Sequence, residues 1–410
     1  MMADSSGTSK TGLRIAYVGP FSFPDDSAPS RRVLGIAQSL EQLGHEILIG
    51  AGQRDQTSIK TPYARSLPFS LHALRECPDE NASRPSKLMR HFTWGKNTLR
   101  WLQSLQPTSD VVFAFGWYAP YSRLILPWCR REGIPVVVDV VEWYQPTHLP
   151  GGWLGPFHWN TEISLRHYYV QAGNIIAISS YLENYYKGRN CHTLRMPPTL
   201  DVQATVARLT ADAGVMKLVY AGFPGKKDLV NNVIEAILRL DPQGAHVRLT
   251  LAGPDAGDVA RLPALRSRGM SSLPPCIDAL GSVPHDQVLE LVRRADFVPL
   301  LRPPLRYAQA GFPTKVPESL ALGTPIICNI TSDLGNHIHD GAEGIVCRDY
   351  SAEAFAEGLG RAMSLTTEQR TKMRQAARRE AEHSFDYRVY AEPLAAFLKE
   401  MRQWQCMRHS

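Results

Sequence analysis

The stretch Leu13-Arg14-Ile15-Ala16-Tyr17-Val18-Gly19-Pro20 reads as a buried strand that ends in turn residues. After a loop, Arg31 to Leu43 places apolar residues at Val33, Leu34, Ile36, Ala37, Leu40 and Leu43, which is helical spacing. Gly44 stops that helix, and Glu46-Ile47-Leu48-Ile49-Gly50 begins a second strand. Strand, helix and strand in this order form a βαβ unit, which opens a parallel sheet.

The same grammar returns in the second half of the chain. Met216 to Gly222 reads as a strand, Phe223 to Asp228 as a loop, Leu229 to Leu240 as a helix, and Val247 to Ala252 as a strand closed by Gly253-Pro254. Between the two units lie the apolar runs Val111–Phe115, Val136–Val141 and Ile175–Ile178, which suit parallel strands covered on both faces. Further on, the pattern predicts strands at Phe297–Leu301 and Pro325–Asn329, with helices at Lys315–Leu322 and Ala352–Met363. Two open parallel sheets facing each other leave a cleft outside the carboxyl ends of their strands, which is where such folds bind ligands. The predicted fold class is α/β with two Rossmann-like domains.

The bulk numbers agree with this reading. A chain of 410 residues suits two cores rather than one, and 44% hydrophobic with 20% charged residues is ordinary for a globular protein. The net charge of +6 fits phosphate-bearing ligands or an anionic surface, with no basic tail of the nucleic-acid-binding kind. The seven cysteines are scattered and no pair has CxxC spacing, which favours a reducing compartment. Met1 to Lys10 is small and polar and reads as a disordered tail rather than a secretory leader. No run of about 18 apolar residues occurs, so no membrane-spanning helix is expected. A cytoplasmic location follows as the expectation. Peripheral contact at the inner face of a membrane stays open, because Lys87 to Leu105 mixes cations with Leu, Met, Phe and Trp. The plainer alternative is a helix docked on its own sheet.

The segment Ala310-Gly311-Phe312-Pro313-Thr314-Lys315-Val316-Pro317-Glu318-Ser319-Leu320-Ala321-Leu322-Gly323-Thr324-Pro325-Ile326-Ile327 resembles the donor-binding motif of retaining GT-B glycosyltransferases of family 4. Gly311-Phe312, Glu318 and Ala321-x-Gly323-x-Pro325-Ile326-Ile327 fall in register with that motif. Ser30-Arg31-Arg32 through Gly44-His45-Glu46 resembles the first helix of the family, and Asp296 to Leu300 the strand before the motif. Ala310 stands where the family carries its first glutamate, so the donor sugar stays open. The resemblance implies an acceptor domain over 11–198, a linker over 199–214, a nucleotide-sugar domain over 215–384, and a helix over 385–405 that crosses back onto the first domain.

It also implies site residues. Glu318 takes the ribose hydroxyls, since an ionised carboxylate is acceptor-only and suits a vicinal diol. Gly311, Phe312, Pro313, Thr314 and Lys315 form a helix start whose free amides attract phosphate; Pro313 supplies no N–H. The loop with Gly222, Gly225, Lys226 and Lys227 neutralises the departing diphosphate, with Lys227 slightly favoured over Lys226. Phe223 or Pro224 stands where the family has an arginine, so lysine must supply the charge. On the acceptor side, Glu142 follows a strand and positions the acceptor hydroxyl or takes its proton. Trp143, Tyr144 and His148 add rings suited to sugar faces, or to lid packing. Arg31 and Arg32 open the first helix toward the cleft, or are surface charge. Lys227 and Glu142 are the catalytic candidates. No metal and no resident cofactor are expected, and His337 and His339 lack a third ligand. The partners implied are a nucleotide sugar and a sugar, lipid-linked or small-molecule acceptor. A sugar-nucleotide epimerase and a non-catalytic GT-B subunit are the alternatives.

Overall fold

The computed structural model describes residues 12–54, 67–77, 93–223, 227–270 and 272–408, with side chains to 401. The first sheet has seven parallel strands in the order β3-β2-β1-β4-β5-β6-β7. These are β1 (Arg14–Gly19), β2 (Glu46–Ala51), β3 (Ser70–Ala73), β4 (Val111–Phe115), β5 (Val136–Val140), β6 (Asn174–Ala177) and β7 (His192–Arg195). Alternate residues of β1 bury into different cores. Ile15 and Tyr17 join the layer of α1 (Ala28–Glu41), while Ala16 and Val18 join the opposite layer. Burial on both faces is why these strands read as continuous apolar runs.

α1 begins three residues before Arg31, because Ser27 caps it through the Ser30 amide and Pro29 suits its first turn. α2 (Lys96–Ser104) docks on the sheet through Leu102, in the core shared with Ala16 and Val18. This is the plainer alternative for the Lys87–Leu105 stretch, whose residues 87–92 lie outside the described residues. α3 (Ala119–Arg131), α4 (Pro156–Ile163) and α5 (Ser180–Lys187) complete this half.

The second half holds β10-β9-β8 and β11-β12-β13, all parallel, joined where Leu218 bridges Phe297. Its strands are β8 (Met216–Ala221), β9 (Val247–Ala252), β10 (Ile277–Ala279), β11 (Val298–Leu300), β12 (Ile326–Asn329) and β13 (Gly344–Cys347). Its main helices are α6 (Val230–Leu240), α7 (His285–Arg294), α8 (Lys315–Ala321), α9 (Ala352–Ser364) and α10 (Thr367–Ser384). Both halves are Rossmann-like sheets.

The chain passes between the two sheets twice, and the passages touch. The Leu200 amide donates to the Phe385 carbonyl at 3.0 Å, and the Tyr387 amide donates back to Leu200 at 3.1 Å. α10 clamps the first passage with arginines. Buried Arg374 donates to the carbonyls of Arg208, Ala295 and Arg293, and Arg378 to those of Val202, Thr205 and Ala321. After the second passage, α11 (Ala391–Arg408) buries Leu394, Phe397, Leu398 and Met401 in the core of the first sheet, together with Ile15, Tyr17 and Ile36. Phe397 stacks on His192 of β7, with ring centroids 4.4 Å apart.

Candidate functional site

The order of the first sheet reverses between β1 and β4, a switch point whose carboxyl-end crevice faces the second half. α1 starts at this edge. Its consecutive residues Arg31 and Arg32 point to different sides, since neighbours on a helix are about 100° apart.

Arg32 turns inward. Its guanidinium donates to Asp139 at 2.9 Å and to the carbonyls of Met196 and Pro197 at 2.7 and 2.6 Å. The Tyr17 hydroxyl donates to the same carboxylate at 2.7 Å. The expected acceptor-side role of Arg32 is therefore corrected: it neutralises a buried aspartate and holds the chain where it leaves β7. Arg31 turns outward and forms an ion pair with Glu318 of the second half. Sequence reasoning assigned these two residues to different ligands; the fold brings them together.

β5 ends at Val140, and the loop after it supplies Glu142. The Glu142 carboxylate accepts from Lys227 Nζ at 3.1 Å, across the cleft. Burial between the halves raises the Glu142 carboxyl pKa, and the Lys227 charge opposes that shift. The Tyr144 hydroxyl also accepts from Lys227, whose ammonium lies 4.3 Å from the Tyr144 ring centroid. His148 packs 4.5 Å from the Tyr307 ring, so it meets the second half as well.

Of the two alternatives for Trp143, a sugar-facing ring or packing, the structure shows packing. It is 2% exposed, and its indole N–H donates to Glu162 at 2.8 Å. The guanidinium carbons of Arg166 and Arg306 each lie 5.0 Å from its ring centroid. Trp143 is thus a buried anchor for this loop and offers no open ring face to a sugar.

On the second half, Gly222 ends β8 with φ +117°, a left-handed backbone that favours glycine. Gly225 and Lys226 lie outside the described residues. Phe223, one of the two residues expected at the position of the family arginine, is 68% exposed; the other, Pro224, lies outside the described residues. Behind this loop sits a buried ionic group that sequence reasoning missed. Asp228 pairs with Lys315 at 2.5 Å and with Arg302 at 2.7 Å, and it accepts from the Tyr220 hydroxyl at 2.9 Å. Burial alone would raise the Asp228 carboxyl pKa; Lys315 and Arg302 outweigh it and hold the carboxyl well below the usual range. For Lys315 burial dominates and pulls its pKa down, against the pull of Asp228.

Gly311 approaches the first half closely, since a Cβ there would lie 3.6 Å from the Val141 carbonyl and 3.1 Å from that of Tyr307. The Ala310 carbonyl accepts from Ser179 at 2.7 Å, again across the cleft. The Phe312 ring is buried 5.8 Å from Phe385 and 5.7 Å from His337, so its side chain belongs to the core. Pro313 is buried, and Thr314 precedes α8 without a side-chain capping bond. Glu318 lies in the first turn of α8, where the helix dipole favours a carboxylate. Arg306 adds a further tie, donating to the Tyr144 carbonyl at 2.7 Å and to Glu162 at 3.2 Å. The usable signal for Arg302 and Arg306 was their place just after a strand end, in the stretch before the donor motif.

His337 pairs with Glu380 at 2.7 Å and His339 with Glu343 at 3.0 Å, so the two imidazoles have separate partners. Among the described residues no group of three or more His, Cys, Asp or Glu is arranged to hold a metal. Among the described residues no helix is long and apolar enough to cross a membrane.

Residues 27–196 match the family model described as glycosyl transferase 4-like domain, and residues 207–380 match glycosyl transferases group 1. No curated protein sequence matches the chain. Among solved structures, the chain is similar to sucrose-phosphate synthase from Thermosynechococcus elongatus, with TM-score 0.70 and 12% identity over 95% of this chain and 99% of that one. It is similar to a glycosyltransferase from Rickettsia africae, with TM-score 0.65 and 15% identity over 95% and 99%. It is also similar to HepE from Anabaena in complex with UDP-glucose, with TM-score 0.65 and 13% identity over 95% and 100%. The two family models divide the chain where its two sheets do, and together they span most of it: the chain belongs to the group 1, family 4-type glycosyltransferases and has their GT-B fold.

Proposed function

We propose that the chain moves a sugar from a nucleoside-diphosphate sugar, held by the second half, to an acceptor hydroxyl presented by the first. The observation that carries this reading is the meeting of Lys227 with Glu142, 3.1 Å apart across the cleft. It puts the cation expected at the leaving diphosphate against the carboxylate expected at the acceptor. Glu318 takes the ribose hydroxyls, with Gly222, Lys227 and the amides of Phe312, Thr314 and Lys315 around the diphosphate. The HepE structure with UDP-glucose supports the donor class.

In this reading the transfer retains anomeric configuration. The acceptor oxygen attacks the anomeric carbon on the face from which the diphosphate departs. One carbon–oxygen bond forms as the carbon–oxygen bond to phosphate breaks, and the acceptor proton passes to a phosphate oxygen. The protein contributes position and charge, with Lys227 meeting the negative charge that builds on the leaving group. No metal and no resident cofactor take part in this reaction scheme. Glu142, its pKa raised by burial, orients the acceptor hydroxyl and is able to share its proton.

The test is a thermal-shift panel of UDP, GDP, ADP, TDP and their common sugar conjugates. Selective stabilisation by one nucleotide, rising further with one sugar, names the donor, because a ligand that binds only the folded state raises its stability by mass action. No stabilisation by any of them rejects the donor assignment. NMR of the product anomer then decides retention, and inversion rejects it.

A further inference from the structure

From Tyr144 to Thr161 the chain carries no Asp, Glu, Lys or Arg, although 20% of all its residues are charged. Burial does not account for this. In the middle of the stretch Trp153 is 69% exposed, Leu154 91% and Trp159 56%. Pro156, Trp159 and Ile163 are all exposed and are spaced three and four residues apart, so they share one face of α4. Large apolar side chains gathered in this way on a surface mark contact with another body.

The tip is firmly built. Gly151 holds φ +81°, and a Cβ on Gly155 would meet the Pro150 carbonyl oxygen at 2.2 Å, so the turn that projects Trp153 and Leu154 closes only with glycine. The ring of His158, which is buried, lies 5.4 Å from that of Trp153 and 5.6 Å from that of Trp159. The short turn Pro146–His148 packs on the turn Gly152–Leu154, and its His148 meets Tyr307 at the cleft. Charge lies behind the tip. Between residues 117 and 172 the exposed charged side chains are Arg123, Arg130, Arg131, Glu132 and Arg166. Arg123 and Arg130 belong to α3, which packs against α4, and Arg166 lies one turn beyond Ile163. Arg166 shares the Glu162 carboxylate with Arg306, so that carboxylate does not cancel both cations.

We infer that the tip formed by Trp153, Leu154, Trp159 and Ile163 docks on an anionic phospholipid surface. The order of polarity carries the choice of partner. An uncharged apex of leucine and indole with cations set behind it matches the layers of such a surface, acyl boundary first and anionic headgroups next. Indoles favour that boundary because one part of the ring system is apolar and the N–H stays wet. The chain would lie on the membrane by this tip, and the rim of the cleft at His148 would stand close to the headgroups. This surface is distinct from the Lys87–Leu105 stretch, where α2 docks on its own sheet. The inference goes beyond the transfer reading and stands without it.

The test uses the full chain and flotation with vesicles of phosphatidylcholine alone or mixed with phosphatidylglycerol. The expected result is binding at least tenfold tighter to the mixed vesicles, weakening with salt. Leu154→Asp should lower that binding at least tenfold, and the Arg123→Glu/Arg130→Glu double variant at least fivefold. All three replaced side chains are exposed, so an unchanged melting temperature checks that these variants fold. Brominated lipid should quench tryptophan emission in the native chain, and less so in Trp153→Phe. No binding to the mixed vesicles, equal binding to both kinds, or binding and quenching indifferent to these variants overturns the docking surface. Self-association of the lipid-free chain that Leu154→Asp abolishes also overturns it, and assigns the tip to a second copy. No readout uses a nucleotide sugar, so failure of the donor reading is not confused with failure here.

Discussion

Arg31 of α1 and Glu318 of α8, helices on opposite sides of the cleft, form an ion pair. The carboxylate assigned to the donor ribose is thus also a tie between the two halves. Glu318→Ala is expected to weaken nucleoside diphosphate binding at least tenfold, or about 1.4 kcal/mol. Arg31→Ala is expected to change it less than threefold, since Arg31 meets Glu318 and not the diphosphate. Isothermal titration of both variants decides this; a tenfold loss in Arg31→Ala would make Arg31 a ligand of the donor.

Lys227→Met should act on the chemical step. Removing one preorganised charge at a developing anion typically costs about 10²–10³ in kcat. The expected result is a loss of that size, with KM for the donor altered much less. Steady-state kinetics with the donor named by the nucleotide panel measures it. An unchanged kcat would return Lys227 to a surface tie between Glu142 and Tyr144.

Asp228 gives a prediction about pH. Its folded pKa is depressed, so its contribution to stability is present above the unfolded value of about 3.9 and is lost as pH falls through the lower folded value. Thermal melting should show the native chain losing stability below about pH 4. Asp228→Asn should show a flatter profile in that range. At neutral pH the variant should be less stable by about 3–5 kcal/mol, because Arg302 and Lys315 lose a buried partner.

Arg32 and its neighbour should separate structure from function. Arg32→Ala leaves Asp139 buried without its cation, and a loss of about 3–5 kcal/mol in unfolding free energy is expected. Denaturant titration checks it. Arg31→Ala should cost less than about 1 kcal/mol in the same experiment, since its pair is partly exposed. Equal losses would contradict the division of labour between the two residues.

The regular elements were legible where burial made the sequence continuous. Val111–Phe115 and Val247–Ala252 were read with the bounds the structure has, because every residue or every second residue is apolar. His192–Arg195 and Ser70–Ala73 were missed, since the edge strands β7 and β3 have only half-buried or exposed residues and polar side chains. The site was legible as residue types and not as pairings. Glu142 and Lys227 were both singled out, yet nothing in a one-dimensional pattern says that positions 85 residues apart touch. Arg32 was read toward a ligand or solvent, and Trp143 toward a sugar face or packing, because position in a motif does not tell which side of a helix or loop a side chain takes. The Asp228 group stayed hidden because its partners come from three separate elements: Tyr220 of β8, Arg302 in the loop after β11 and Lys315 at the start of α8.

The two passages between the sheets hydrogen-bond to each other at Leu200, Phe385 and Tyr387. A body hung from two adjacent pins has one easy motion, rotation about the line through them. Separations near that line hardly change during such a swing, while those at Arg31–Glu318 and Lys227–Glu142 change together. If donor and acceptor bind as proposed, such a swing would make their admission one mechanical coordinate, and a substrate that closes the door for itself would close it for the other.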